Sequence, residues 1–414
     1  MRKIRITTTL FVLLCCIGTK ATDEKLYDYN IINDSAEIIP TEVSTSLDSL
    51  LNDWYLNNTS ITNCNKEFSL ITYPDSIYID RLQRLPYVME MPFNNLVRNF
   101  INFYANKPTQ VAFMLGIGEQ YYFPIFEHAL EAQNIPIELK YLPVIESALN
   151  PKALSRAGAR GLWQFMIGTG RFYGLEINSL VDERCDPVKS TQAAARYLKD
   201  LYDIYQDWHL VIAAYNCGPG NVNKAIKRAG GKRNYWEIYP YLPRETRSYV
   251  PIFIAANYIM NYYEEHNICP ITPSIQTVTD TVMTNQRIHL KQISEVLQIP
   301  IEELRSLNPQ YKHDLIPAND KKHYAVVLPL KQVNAYIDKN AEILAFQADQ
   351  LTSQTAVAKI AEADLSTATV HRVRSGDTLS GIAKKYRVSV AQLKKWNHLS
   401  GTTIRIGQKL RICR

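Results

Sequence analysis

Between residues 79 and 268 the apolar positions recur at intervals of three and four. Segments such as PFNNLVRNFINFYAN, YYFPIFEHALEAQ and STQAAARYLKDLYDIY each place one apolar stripe along a helix. Prolines at 108, 124, 136, 143, 151 and 187 punctuate these stretches, and β-branched alternation is scarce. The pattern predicts an all-helical domain over 79–268 and a chain that is mainly α. Residues 22–78 are polar, rich in Asn, Thr and Ser, and read as an arm. Beyond 268 the period changes. PSIQTVTDTVM and HYAVVLPL read as strands around the helical stretches HLKQISEVLQ and IEELRSLN, giving a small unit over 269–330. Residues 331–368, rich in Ala, Gln, Thr and Ser without Gly or Pro, read as a partly helical linker. Strand, helix, helix, strand then recurs over 369–414, so the two small units read as related copies, the first strongly diverged.

The first 21 residues change the picture of where the chain goes. Arg2, Lys3 and Arg5 precede an apolar run from Leu10 to Ile17 and small residues ending at Ala21, the pattern of a secretory signal peptide. Export across an inner membrane, to a periplasm or cell envelope, is the expectation, with lipidation at Cys15 or Cys16 as one route to an outer-membrane lipoprotein. The other five cysteines, 64, 185, 217, 269 and 413, show no CxxC spacing, and the histidines no HExxH, so neither a metal site nor a cofactor is expected. The net charge of +6 divides unevenly, with +10 on residues 370–414 and −8 on 22–369. A basic tail on an acidic body suits an anionic polymer, and export argues against nucleic acid. A monomer is expected, touching membrane only if lipidated.

Candidate chemistry lies in LKYLPVIESALNPKALSRAGARGLWQFM, residues 139–166. Glu146 closes an apolar run ahead of a turn-rich loop, which places it at a helix end against apolar walls. Such burial raises a carboxyl pKa toward neutrality and keeps an acid able to donate. No other Asp or Glu occurs between Glu146 and Glu176, whereas ordinary glycosidases set two carboxylates across the scissile bond. Taken alone, Glu146 would be read as one more solvated helix glutamate.

Four ordered motifs change that reading: the ES pair at 146–147, GLWQFM at 161–166, AYNCGPGNV at 214–222 and LPRETRSYVP at 242–251. Residues 139–260 thereby resemble the catalytic domain of the lytic murein transglycosylases, the SLT family with the goose-type lysozyme fold. The resemblance implies that Glu146 protonates the oxygen linking N-acetylmuramic acid to N-acetylglucosamine, then accepts a proton from the muramoyl 6-hydroxyl as it attacks C1. A 1,6-anhydromuramoyl end would form without water. By the same resemblance Ser155 would hydrogen-bond the sugar, Gln164 and Met166 would line the groove floor, Tyr215 and Asn216 would face the acid, and Glu245 and Tyr249 would come from the later helix. Met166 and Tyr249 equally fit core packing, and Glu245 an ion pair with Arg244 or another arginine. Gly218, Pro219 and Gly220 read as a tight turn. Cys217 stands where the family usually has alanine, and Asp182, Glu183 and Asp186 read as scaffold.

The tail resembles a LysM peptidoglycan-binding module through SGDTLSGIAKKY, LKKWN and IRIGQKLRI. Leu379, Ile382, Leu393 and Ile404 have the spacing of a core, while Gly376, Asp377, Thr378 and Asn397 would border its glycan groove. Residues 269–330 carry fainter LysM features, chiefly LNPQY at 307–311 and the VVLP strand, and lack the glycine and aspartate loop. Two other functions stay open from sequence: a hydrolytic muramidase, and a wall-binding protein that keeps the scaffold without catalysis.

Overall fold

The computed structural model describes residues 71–272, 278–358, 369–386 and 388–412. The expected signal peptide, Cys15, Cys16, Cys64, Cys413 and all but the end of the arm lie outside them. The end of the arm opens the helical domain: the helix Asp75–Arg84 buries Tyr78 and Leu82 against it. At the centre runs the helix Tyr249–Asn261, buried at every position from Tyr249 to Met260. A helix apolar all round needs protein on every side. Asn95–Ala105 and Trp208–Cys217 pack on it, and Pro187–Tyr205 packs in turn on Trp208–Cys217 and on Phe123–Ala132.

The helix starts follow local chemistry. The Asn94 side chain accepts from the Val97 amide, and the Asp207 carboxylate from the Leu210 amide. Asp186 accepts from the Val188 and Lys189 amides while Pro187 occupies the first helical position, where a missing N–H costs nothing.

Two small modules follow. In the first, Thr279–Thr284 pairs antiparallel with Tyr324–Pro329, from Thr279 opposite Pro329 to Thr284 opposite Tyr324, beside the helices Leu290–Leu297 and Ile301–Leu307. This module runs past residue 330. The helices Val333–Asp338 and Asn340–Ala345 fold onto it, with Tyr336 and Ile343 in its core, where the sequence reads as linker. Two large apolar residues in a polar stretch suffice once a sheet face is there to receive them.

In the second module Thr369–Arg372 pairs antiparallel with Lys409–Ile412, and Leu379, Ile382 and Leu393 are its core with Ile404 packed against them. One clasp recurs in both. The Asn308 side chain donates to the Leu304 and Val327 carbonyls and accepts from the Val327 amide. Asn397 donates to Leu393 and Arg411 and accepts from the Arg411 amide. Each asparagine ties the end of the second helix to the closing strand, as expected of related copies.

Candidate active site

Glu146 lies on the short helix Leu142–Ser147, where Leu142, Val144 and Ile145 are buried. The helix stops abruptly. Ala148 and Leu149 both take left-handed backbone angles, φ 50° and 61°, a conformation that costs a residue with a side chain about 1–2 kcal/mol. Ser147, the other half of the ES pair, is fully buried. Its hydroxyl reaches two carbonyls, Pro143 at 3.0 Å and Leu162 at 2.9 Å, and so ties the acid's helix to the GLWQ turn.

The Glu146 carboxyl keeps a window to solvent, yet protein crowds it on most sides. Burial pushes its pKa from the usual 4.5 up to about 7, although a hydrogen bond donated by the Tyr249 phenol to Oε1 pulls the other way. Near neutral pH the group is thus divided between acid and base, which suits proton transfer in both directions. The Tyr249 ring is buried in the core, while its hydroxyl donates to the Glu146 carboxylate.

The other predicted residues divide by what their polar atoms already do. Tyr215 donates to the Trp163 carbonyl at 2.7 Å, and its own pKa is raised by burial and by Glu146 nearby. Asn216 is exposed, and its side-chain oxygen accepts from the Thr246 hydroxyl at 2.8 Å. That fixes the amide and leaves its N–H₂ to donate. Gln164 sits at φ 47° and donates to the Ala153 and Gly161 carbonyls, so its amide oxygen is what remains for a sugar hydroxyl. Ser155 accepts from the Ala159 amide at 3.0 Å. Met166 is 39% exposed, which answers the core alternative against packing. Glu245 is exposed, and among the described residues no salt bridge engages it. Gly218, at φ 82°, ends one helix directly before Pro219 starts the next.

The carboxylates at 182–186 are committed elsewhere. Arg184 grips Asp182 through Nε and Nη2, both at 2.8 Å. Glu183 pairs with Lys189 and accepts the Glu176 amide, and Asp186 caps its helix. Arg184 also donates to the Gly158 and Phe165 carbonyls at 2.9 and 3.0 Å, bracing the loop that carries Ser155 and Gln164. Gly161 must be glycine here: at φ 88° a Cβ would lie 1.8 Å from the Arg184 carbonyl oxygen. Sequence reasoning missed Thr246 and Arg184. Thr246 lies in the LPRETRSYVP motif and Arg184 beside the acids read as scaffold, but their roles depend on contacts 26 to 30 residues distant in the chain. Of the cysteines, Cys185 and Cys217 are free thiols, both raised in pKa by burial, and Cys269 is disulfide-bonded.

In the tail, Asp377 shapes the proposed glycan loop by accepting from the Arg374 amide and bonding His371 Nε2, each at 2.8 Å. The backbone amide first and His371 second hold its carboxyl below the usual range. Gly376 supplies φ 86°, the Thr378 hydroxyl accepts from the Gly381 amide, and Asn397 spends both amide hydrogens on the clasp.

The helical body with Glu146 crowded at the end of its short helix, followed by two sheet-and-helix modules, is that of a transglycosylase SLT domain with LysM-type modules. Residues 123–238 match the family described as transglycosylase SLT domain, 278–345 the LysM-like domain of lytic transglycosylase MltD, and 371–412 the LysM domain. The chain is 34% identical over 289 residues to membrane-bound lytic murein transglycosylase D of Escherichia coli (strain K12), covering 68% of this chain and 61% of that protein. It is 33% identical over 139 residues to membrane-bound lytic murein transglycosylase F of Maricaulis maris, covering 29% of this chain and 28% of that one. The chain thus spans less than two thirds of the length of these relatives. Among solved structures, the 70 kDa soluble lytic transglycosylase of Escherichia coli aligns with a TM-score of 0.33 at 19% identity, covering 54% of this chain and 43% of that one.

Proposed function

We propose that this chain cleaves the β-1,4 bond between N-acetylmuramic acid and N-acetylglucosamine in peptidoglycan, leaving a 1,6-anhydromuramoyl end. The observation that carries the reading is a single carboxyl held near pKa 7 by burial and aimed by Tyr249, while the acids at 182, 183 and 186 are locked in the scaffold. Glu146 gives its proton to the bridging oxygen as the bond to C1 breaks. The same carboxylate then takes the proton of the muramoyl 6-hydroxyl, whose oxygen closes on C1. No water is consumed, and the substrate's own N-acetyl group shields the oxocarbenium-like centre where a second carboxylate would otherwise stand. The Asn216 amide N–H₂, the Gln164 oxygen, Ser155, Met166, Tyr215 and Glu245 form the walls that hold the sugars. The basic tail docks glycan at the Gly376–Thr378 loop and the segment by Asn397, keeping the enzyme on its insoluble substrate. An exported monomer of the cell envelope fits this work.

The test is mass spectrometry of fragments released from purified peptidoglycan by the wild type and by Glu146→Gln. Anhydromuropeptides from the wild type alone are expected. Reducing muramic ends would make it a hydrolase, and wall binding without release by either protein would make it a binding module.

A further inference from the structure

The first small module does not hang beside the helical domain; it shares a core with it. Val181, from the segment between the GLWQ turn and the helix Pro187–Tyr205, is fully buried among the module's Ile288, Leu290, Tyr311 and Val326. Backbone bonds run along the same seam. The Asp182 amide donates to the Gln310 carbonyl at 2.9 Å and the Lys312 amide to the Leu180 carbonyl at 2.8 Å, with Val181 and Tyr311 paired between them. Side chains close the edges. Tyr324 and Lys322 both engage the Glu176 carboxylate, and Lys312 Nζ donates to the Asn178 carbonyl.

The segment gripped in this way is the one that braces the active site. Asp182 receives the Arg184 fork, and Arg184 in turn holds the Gly158 and Phe165 carbonyls on either side of Gln164 and beside Ser155. In the tail module the equivalent stretch after the second helix lies at the proposed glycan groove; in this one it is covered by Leu180 and Val181. A surface occupied by the chain's own backbone cannot also receive a sugar.

We propose that the module at 278–345 is a positioning element of the active site, setting the loop of Ser155 and Gln164 through Val181, Asp182 and Arg184 rather than binding glycan at that edge. This rests on the transglycosylase reading. The effect is mechanical: displacing a substrate-holding loop by a fraction of an ångström costs turnover although the acid itself is untouched.

A double-mutant cycle in the full chain tests it, with kcat and KM measured on glycan strands well below the melting temperature. Tyr311→Ala is expected to lower kcat/KM about tenfold in the wild-type background but less than about threefold once Gln164→Ala has already removed the group being positioned. The paired change Tyr324→Phe with Lys322→Ala, which touches only the seam's edge, should act in the same direction by about threefold if Tyr311→Ala does not fold. Equal factors in both backgrounds, or no loss from either variant, would overturn the proposal while the wild type still cleaves. A wild type that releases nothing defeats the transglycosylase reading instead. The same cycle is then read in the affinity for an N-acetylglucosamine oligomer, where non-additivity supports positioning and additivity refutes it.

Discussion

Replacing Glu146 by glutamine should abolish lysis and at the same time make the protein more stable, but only above a definable pH. The unfolded chain ionises this carboxyl near its ordinary 4.5, whereas the folded chain does so near 7. Between those values the folded state holds more protons than the unfolded one, so stability falls as pH rises through this window and levels off above about 7. The difference of roughly two and a half pH units, at about 1.4 kcal/mol each, sets an upper bound of about 3.5 kcal/mol; the solvent window beside the carboxyl reduces this to about 1–3 kcal/mol. Glutamine keeps the shape and can still accept from Tyr249, so it removes the penalty without opening a cavity. For a domain of this size 1 kcal/mol moves the melting temperature by about 2–4 °C. The assay is thermal unfolding of wild type and Glu146→Gln at pH 4 and pH 8. The variant should melt several degrees higher at pH 8 and within a degree or so at pH 4. A variant that is less stable at pH 8, or that gains equally at both, would refute the claim that this carboxyl is held neutral by burial.

Tyr249→Phe removes the one interaction that lowers the Glu146 pKa, so the alkaline limb of kcat/KM should move up by about one pH unit; a pH-rate profile on soluble glycan decides, and a downward shift counts against the assignment. Gly161→Ala drives a methyl into the Arg184 carbonyl at a left-handed backbone angle, and urea unfolding should show a loss of more than about 2 kcal/mol. Asn397→Ala removes the two bonds that the clasp makes to Arg411, costing the tail module about 1 kcal/mol; hydrogen exchange at Arg411 should speed up, and an unchanged rate would mean the clasp is idle.

The sequence by itself determined the all-helical body and the strand, helix, helix, strand order that both modules share, and it pointed to Glu146 as the candidate acid. These are carried by periods of apolar residues and by motifs contiguous in the chain, and such information is local. It also carried the resemblance from which the roles of Gln164, Asn216 and Tyr249 were expected. What only the tertiary structure decided is where each polar atom spends its bonds. Ser147 holds two carbonyls, one of them on the GLWQ turn, and the Tyr249 hydroxyl meets a carboxylate 103 residues earlier. Thr246 fixes the amide of Asn216, and Val181 leaves its own domain for the core of the next. A hydroxyl or a valine has the same local signature whether it faces solvent, substrate or a neighbouring module. Its partner is set by which surfaces the folded chain brings together, and no spacing rule along the sequence records that.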